Sequence, residues 1–235
     1  MLFGMDTARE ILQFLHHNPS SLRQEIGDGV GFEGSDATLK RLIASLVKAG
    51  DVVVEGKARA TRYRLSNQAH LLMPLNIDTY FSLDVDERKV QQTFNFSLLR
   101  EQLPEVQLFS AEEHRHLEYL QSVFRQHVGE MSANEYSKEM ERLGIDLSWK
   151  SSQIEGNTYS LLETERLLFS DGNKRTARIT SNALLIAHGY CPLSFRTVDS
   201  IDYKKAMLIF YEQNNLYAFK QIFMQQYEYA VKEYF

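Results

Sequence analysis

The sequence predicts a mainly α-helical protein, and three observations carry that prediction. Apolar residues recur at helical spacing through most of the 235 residues. Serines and glycines stand where helices should start and stop, as at Ser35, Gly50 and Ser110. Between Val52 and Leu65, by contrast, the pattern alternates as a pair of strands would. The length suits two domains, and 43% hydrophobic with 24% charged residues is the balance of an ordinary folded chain, not a disordered or collagen-like one. Cys191 is the single cysteine, which excludes an intrachain disulfide framework or a cysteine zinc site and points to a cytoplasmic location. No apolar run approaches a bilayer span, and the first residues lack the basic and long apolar parts of a leader, so secretion and membrane insertion are not expected. A net charge of −5 argues against nucleic-acid binding over the whole surface but leaves room for a local basic patch.

Residues 1–67 read as a small winged helix-turn-helix domain. Ala8, Ile11, Leu12 and Leu15 share a helical face that Asn18-Pro19 ends. A short helix over 21–26 is followed by glycines 27, 29, 31 and 34. Ser35 caps a third helix that turns Leu39, Leu42, Ile43 and Leu46 inward and stops at Gly50. Val52-Val53-Val54, a turn at Glu55-Gly56-Lys57 and the alternation Thr61/Tyr63/Leu65 predict a hairpin. Between residues 35 and 66 seven basic residues stand against three acidic ones. That balance suits a third helix in a DNA major groove with the hairpin on phosphates, and equally a solvated face that docks a protein.

Residues 68–235 form the second domain. Residues 68–104 read as a linker that becomes packed structure, with a helical patch near 88–100 and aromatics (Tyr80, Phe81, Phe94, Phe96) that need cover. Ser110 to Glu113 is a capping box opening a helix toward Val128. The next helix, from about Ser132, carries Met140, Leu143, Leu147 and Ile154 on one face, with Trp149 expected in the core. A helix over 176–188, closed by Gly189, should bury Ala177, Leu184 and Ala187, and the aromatics of 203–235 fall at the spacing of core residues.

Chemistry concentrates at Phe169-Ser170-Asp171-Gly172-Asn173-Lys174-Arg175-Thr176-Ala177-Arg178. The N-terminus of the helix that follows offers unpaired N–H groups and partial positive charge, both suited to phosphate. Gly172 permits a close backbone approach. Arg175 and Arg178, three residues apart, project from one side of the first turns and can grip neighbouring phosphates through their planar forks. Asp171 fits an anion site only if it holds a Mg²⁺ that bridges the phosphates. The parts together suggest a bound nucleoside triphosphate.

The pattern Phe-x-Asp-Gly-Asn-x-Arg-x-x-Arg resembles the core motif of Fic-domain proteins, and the likeness continues through Asn182 and Gly189 to Phe195, then Tyr203, Asn214 and Asn215. Ser151, Glu155, Gly156 and Asn157 resemble the inhibitory helix motif of the same family. The resemblance implies a helical Fic fold and transfer of AMP from ATP to a Ser, Thr or Tyr hydroxyl of a target protein. It implies that Asp171 holds Mg²⁺, that Gly172 and Asn173 meet the α-phosphate region beside Lys174, that Arg175 meets the inner phosphates, and that Arg178 meets the γ-phosphate. Tyr203 and Asn214 are candidates for the adenine side, with helix packing and capping an equal reading of both. A homodimer through the Fic helices would follow from the family, though no residue here shows one.

Ser151 and Glu155 are one helical turn apart, and Glu155 borders the Met140/Leu147/Ile154 stripe, so its carboxylate points inward and needs a partner. The resemblance supplies Arg178. A carboxylate there takes the place and charge of the γ-phosphate, which leaves ATP misaligned and activity low until the helix shifts.

The sequence departs from the family at two points. Leu167 stands where the family has its general-base histidine, and such a base contributes on the order of 10²–10⁴ in rate. His188, His114, His116 and His127 are poor substitutes by position. Residues 157–168 are also too few for the helices and substrate-docking flap that relatives carry there. Either the chain is a truncated, inactive relative or a stretch is missing between 168 and 169. Packing favours the second, because loss of those helices would bare apolar surface around the motif helix.

Overall fold

The computed structural model describes residues 2–88, 90, 96–154, 156 and 173–235, and over these residues the protein is mainly helical. The chain divides into two compact units, Met1–Leu108 with Gln213–Tyr217, and Phe109–Glu212 with Ala218–Phe235.

In the first unit α1 (Leu2–His17), α2 (Arg23–Gly29) and α3 (Asp36–Ala49) precede the antiparallel strands β1 (Val52–Glu55) and β2 (Arg62–Leu65). The α3 boundaries are those the caps predict. The Ser35 hydroxyl accepts from the Thr38 N–H at 3.3 Å, and Gly50 closes the helix at φ 84°, a left-handed turn that disfavours a side chain. α2 starts two residues later than expected, because Ser21 pairs through its backbone with Tyr63 of β2. The strands run in register from Val52 opposite Leu65 to Glu55 opposite Arg62. They are joined by residues 56–61, a longer tip than the three-residue turn expected.

Ile11 and Leu15 of α1, Ile26 of α2 and Leu39, Ile43 and Leu46 of α3 bury together with Val52 and Leu65. Ala69 and Met73 join this core, so α4 (Asn67–Leu72) belongs to the first unit, as does α5 (Ile77–Ser82). The segment 213–217 is fastened into the same unit. Asn215, 1% exposed, donates from Nδ2 to the carbonyls of His70 at 3.2 Å and Met73 at 3.0 Å, and the Leu216 N–H donates to Leu71. Of the helical patch expected near 88–100, residues 89 and 91–95 lie outside the described residues, and its end continues into a helical turn over Leu98–Gln102.

The second unit holds α6 (Ala111–Glu130), α7 (Ala133–Ile154), α8 (Asn173–Ala187), and most of α9 (Ser200–Gln213) and α10 (Tyr217–Glu233). The capping box at Ser110 forms as the sequence predicts, with Glu113 accepting from the Ser110 N–H at 2.8 Å. Leu143, Leu147 and Ile154 of α7 pack with Leu120 and Phe124 of α6, and with Tyr227 and Val231 of α10. Trp149 differs from expectation: it is half-buried beneath the Arg196 guanidinium, 5.2 Å from its ring. Asp146 takes the inward position beside it, satisfied by Arg196 and by the Tyr234 hydroxyl at 2.5 Å.

The phase of α8 also overturns an expectation. Ala177, Leu184 and Ala187 are exposed, Leu184 by 59%. The buried stripe is Arg178 and Asn182, followed by half-buried Leu185, at i, i+4 and i+7. Polar side chains hold the inward face, which is why apolar periodicity misplaced it.

Candidate functional site

The site grows from the first half of α8. Asn173, Lys174 and Arg175 form its opening backbone turn, and their side chains lie outside the described part of the structure. So do Asp171, Gly172, Glu155 and the whole of 157–170, including Leu167 and the 168–169 junction.

Arg178 sits one turn further on and is only 6% exposed. Its guanidinium carbon lies 5.1 Å from the centre of the Tyr203 ring, and Nε is 3.4 Å from the Tyr203 hydroxyl oxygen. A desolvated cation over an aromatic face is stabilised by the ring quadrupole, by up to about 2 kcal/mol. The ring is itself fixed, edge-on to Phe195 at 5.8 Å and Phe219 at 5.7 Å. Tyr203 is placed by the start of α9, where the Asp199 carboxylate caps the N–H groups of Ile201 at 2.7 Å and Asp202 at 3.1 Å. Those bonds hold the Asp199 carboxyl below its usual range.

Arg178 and Tyr203 line a groove of about 860 Å³ in the second unit, otherwise walled mainly by apolar residues such as Ile154, Leu185, Met207 and Phe223. The loop behind it is held by Asn182, which donates from Nδ2 to the Leu193 carbonyl at 2.7 Å and accepts the Leu193 N–H at 2.9 Å. Opposed hydrogen bonds of this kind fix a backbone segment without regular structure.

Ser151 is 1% exposed on the inner side of α7, and Ile154, three residues on, reaches the groove. Gly156 stops the helix at φ 90°, its N–H bonding the Gln153 carbonyl at 3.0 Å. The structure places the Arg178 guanidinium directly against Tyr203, a contact the motif reading, which set the two at the γ-phosphate and adenine ends, does not foresee, and it buries Ser151.

The histidines occupy other places. His114 faces Glu118, His116 faces Glu228, and His127 meets the Phe235 carbonyl. His188 lines the groove, but ten residues of helical rise, about 15 Å, separate it from Arg178. No group of three or more metal-ligating side chains occurs among the described residues. The sequence marks Phe219 and Phe223 only as general core residues. Their sole signal was aromatic spacing on a helix, which does not distinguish a groove wall from a core.

The chain matches no family model, no curated protein and no solved structure.

Proposed function

We propose that the second unit is an autoinhibited, Fic-type protein adenylyltransferase, carried on one chain with a winged helix-turn-helix module. The observation that carries this reading is Arg178. A guanidinium held out of water against an aromatic face, at the wall of a groove and one turn into a helix that starts at Asn173, is built to meet an anion. The triphosphate of ATP is the anion that the Gly172-Asn173-Lys174-Arg175 run fits, with the apolar groove open to the base. Mg²⁺, held by Asp171, would neutralise charge between the phosphates. Arg178 and Arg175 would orient the tail so that a target hydroxyl meets the α-phosphorus in line. Glu155, from the end of α7, would silence Arg178.

Leu167 favours a second reading, a nucleotide-binding scaffold without transfer, because leucine takes no proton from a hydroxyl. Mass spectrometry after incubation with ATP and Mg²⁺ separates the two. AMP adducts on a hydroxyl side chain support transfer, whereas ATP binding without adducts supports the scaffold. Sequencing the encoding gene across residues 165–170 tests for a missing stretch.

Two variants bear on the site itself. Arg178→Ala should weaken ATP binding by calorimetry roughly ten-fold or more, the loss of a charge-assisted contact. Glu155→Gly should raise ATP turnover or self-modification in the intact protein. An intact, folded chain that binds no ATP, with or without Glu155, would overturn both readings.

A further inference from the structure

We infer that the cavity bordered by α1, the end of α2 and α5 is a binding site for a small aromatic amine, a planar ring with an N–H donor and an ammonium arm. The cavity holds about 700 Å³, and every residue that lines it belongs to the first unit. That volume falls within the range of small-molecule sites, about 300–1,000 Å³. The site is independent of any nucleotide transfer in the second unit.

Phe14, Val30, Leu75, Tyr80 and Leu83 supply its apolar and aromatic wall. Gly29 lets the end of α2 close on Phe14, since a Cβ there would fall 2.0 Å from a carbon of that ring. Arg88 donates from Nε to the Leu83 carbonyl at 3.1 Å and stands 5.8 Å from the centre of the Tyr80 ring. Tyr80 is thus already engaged by a cation, and Phe14 is the ring on which a planar ligand stacks.

His16 lines the cavity and supplies its polar end. Its Nε2 lies 3.1 Å from Gln213 Oε1, and the Gln213 amide donates to the Tyr80 hydroxyl at 3.1 Å. The amide oxygen can only accept, so the proton of the neutral ring sits on Nε2 and Nδ1 carries a lone pair. Burial keeps the ring uncharged, lowering its pKa to about 4. Nδ1 is buried and meets no hydrogen-bond partner among the described residues. A ligand N–H is the partner that such an acceptor lacks.

Charge selects the rest of the ligand. Glu10 and Glu87 line the cavity and are exposed, whereas no lysine or arginine lines it among the described residues. Two acids without a cation disfavour phosphates and carboxylates and favour an ammonium. Glu10, Gln13, Phe14 and His17 recur at helical spacing, so one face of α1 runs along the cavity. Glu10 stands six residues, about 9 Å of helical rise, from His16. With the reach of both side chains, a bicyclic ring on a two-carbon ammonium arm bridges the two, its ring N–H on His16 and its ammonium on Glu10.

The probe is tryptamine, titrated into the full chain by isothermal calorimetry. Saturable one-to-one binding is expected, and added ATP should leave it unchanged. 1-Methyltryptamine keeps the ring and the ammonium but lacks the ring N–H. It should bind at least ten-fold more weakly, the effect of leaving a built-in acceptor unpaired. Indole-3-acetate, whose arm carries the opposite charge, should bind more weakly than tryptamine by a similar factor. Gln13→Trp fills the cavity from a half-buried position of α1 and should abolish binding with the melting temperature unchanged. E10Q/E87Q alters two exposed carboxylates and should weaken binding about three-fold. No binding of tryptamine at millimolar concentration, equal binding of the three compounds, competition by ATP, or affinity unaltered in both variants would each overturn the assignment.

Discussion

His16 shows how burial alone sets the chemistry of a side chain. It is 9% exposed, its ring stacks on His70 at 4.8 Å, and Nε2 lies 3.1 Å from Gln213 Oε1. Desolvation is the main cause that lowers its pKa from 6.5 to about 4, with His70 and then His17 adding to it against the Gln213 hydrogen bond. Neutral His16 then donates from Nε2 to Gln213, whose own amide donates to the Tyr80 hydroxyl at 3.1 Å. The folded state binds fewer protons than the unfolded state between about 4 and 6.5, so the stability of the first unit is intact above pH 6.5 and falls as pH drops toward 4. The loss attributable to His16 is about 3 kcal/mol at the bottom of that window. Denaturant melts of the intact chain at pH 7 and pH 4.5 should show it, with a flatter dependence in His16→Leu. A buried-histidine NMR signal that titrates near 6.5 would contradict the account.

At the scale of elements, α8 departs most from simple amphipathic logic. Its inward stripe is polar, and one member, Asn182, replaces regular structure for the loop around Leu193 by bonding both backbone groups of that residue. Asn182→Ala removes both bonds and leaves a buried N–H and C=O without partners, at about 2 kcal/mol or more. Chemical denaturation monitored at Trp149, in the same unit, should report that loss, and a cost below about 0.5 kcal/mol would mean that the loop is held elsewhere. The outward face of α8 carries Ile179, Leu184 and Ile186, all more than 40% exposed.

For the whole molecule, the division into units is not a cut in the sequence. The first unit takes Gln213–Tyr217 from between α9 and α10, whose remainders belong to the second. Gln213 bonds His16, and Asn215 satisfies two carbonyls at the end of α4. A fragment of residues 1–108 should therefore be less stable than the same unit in the intact chain, by a few kcal/mol, since several buried polar groups lose their partners. Hydrogen exchange at Leu71 and Met73 should accelerate in the fragment. Equal protection in fragment and full chain would show that the segment contributes little. No helix among the described residues is long and apolar enough to cross a membrane.

The sequence by itself determined the helical class, the caps at Ser35, Gly50 and Ser110, the hairpin pair and the α7 stripe, because each rests on interactions within a few residues or on a periodicity that neighbours preserve. It also marked Arg178 and Tyr203, though not that one ring would lie under the other's charge. Tertiary structure decided which face of α8 turns inward, that Trp149 lies beneath Arg196 while Asp146 is buried, and that residues 213–217 complete the first unit. Those outcomes depend on partners far along the chain, which supply the hydrogen bonds that make a buried arginine, asparagine or aspartate tolerable.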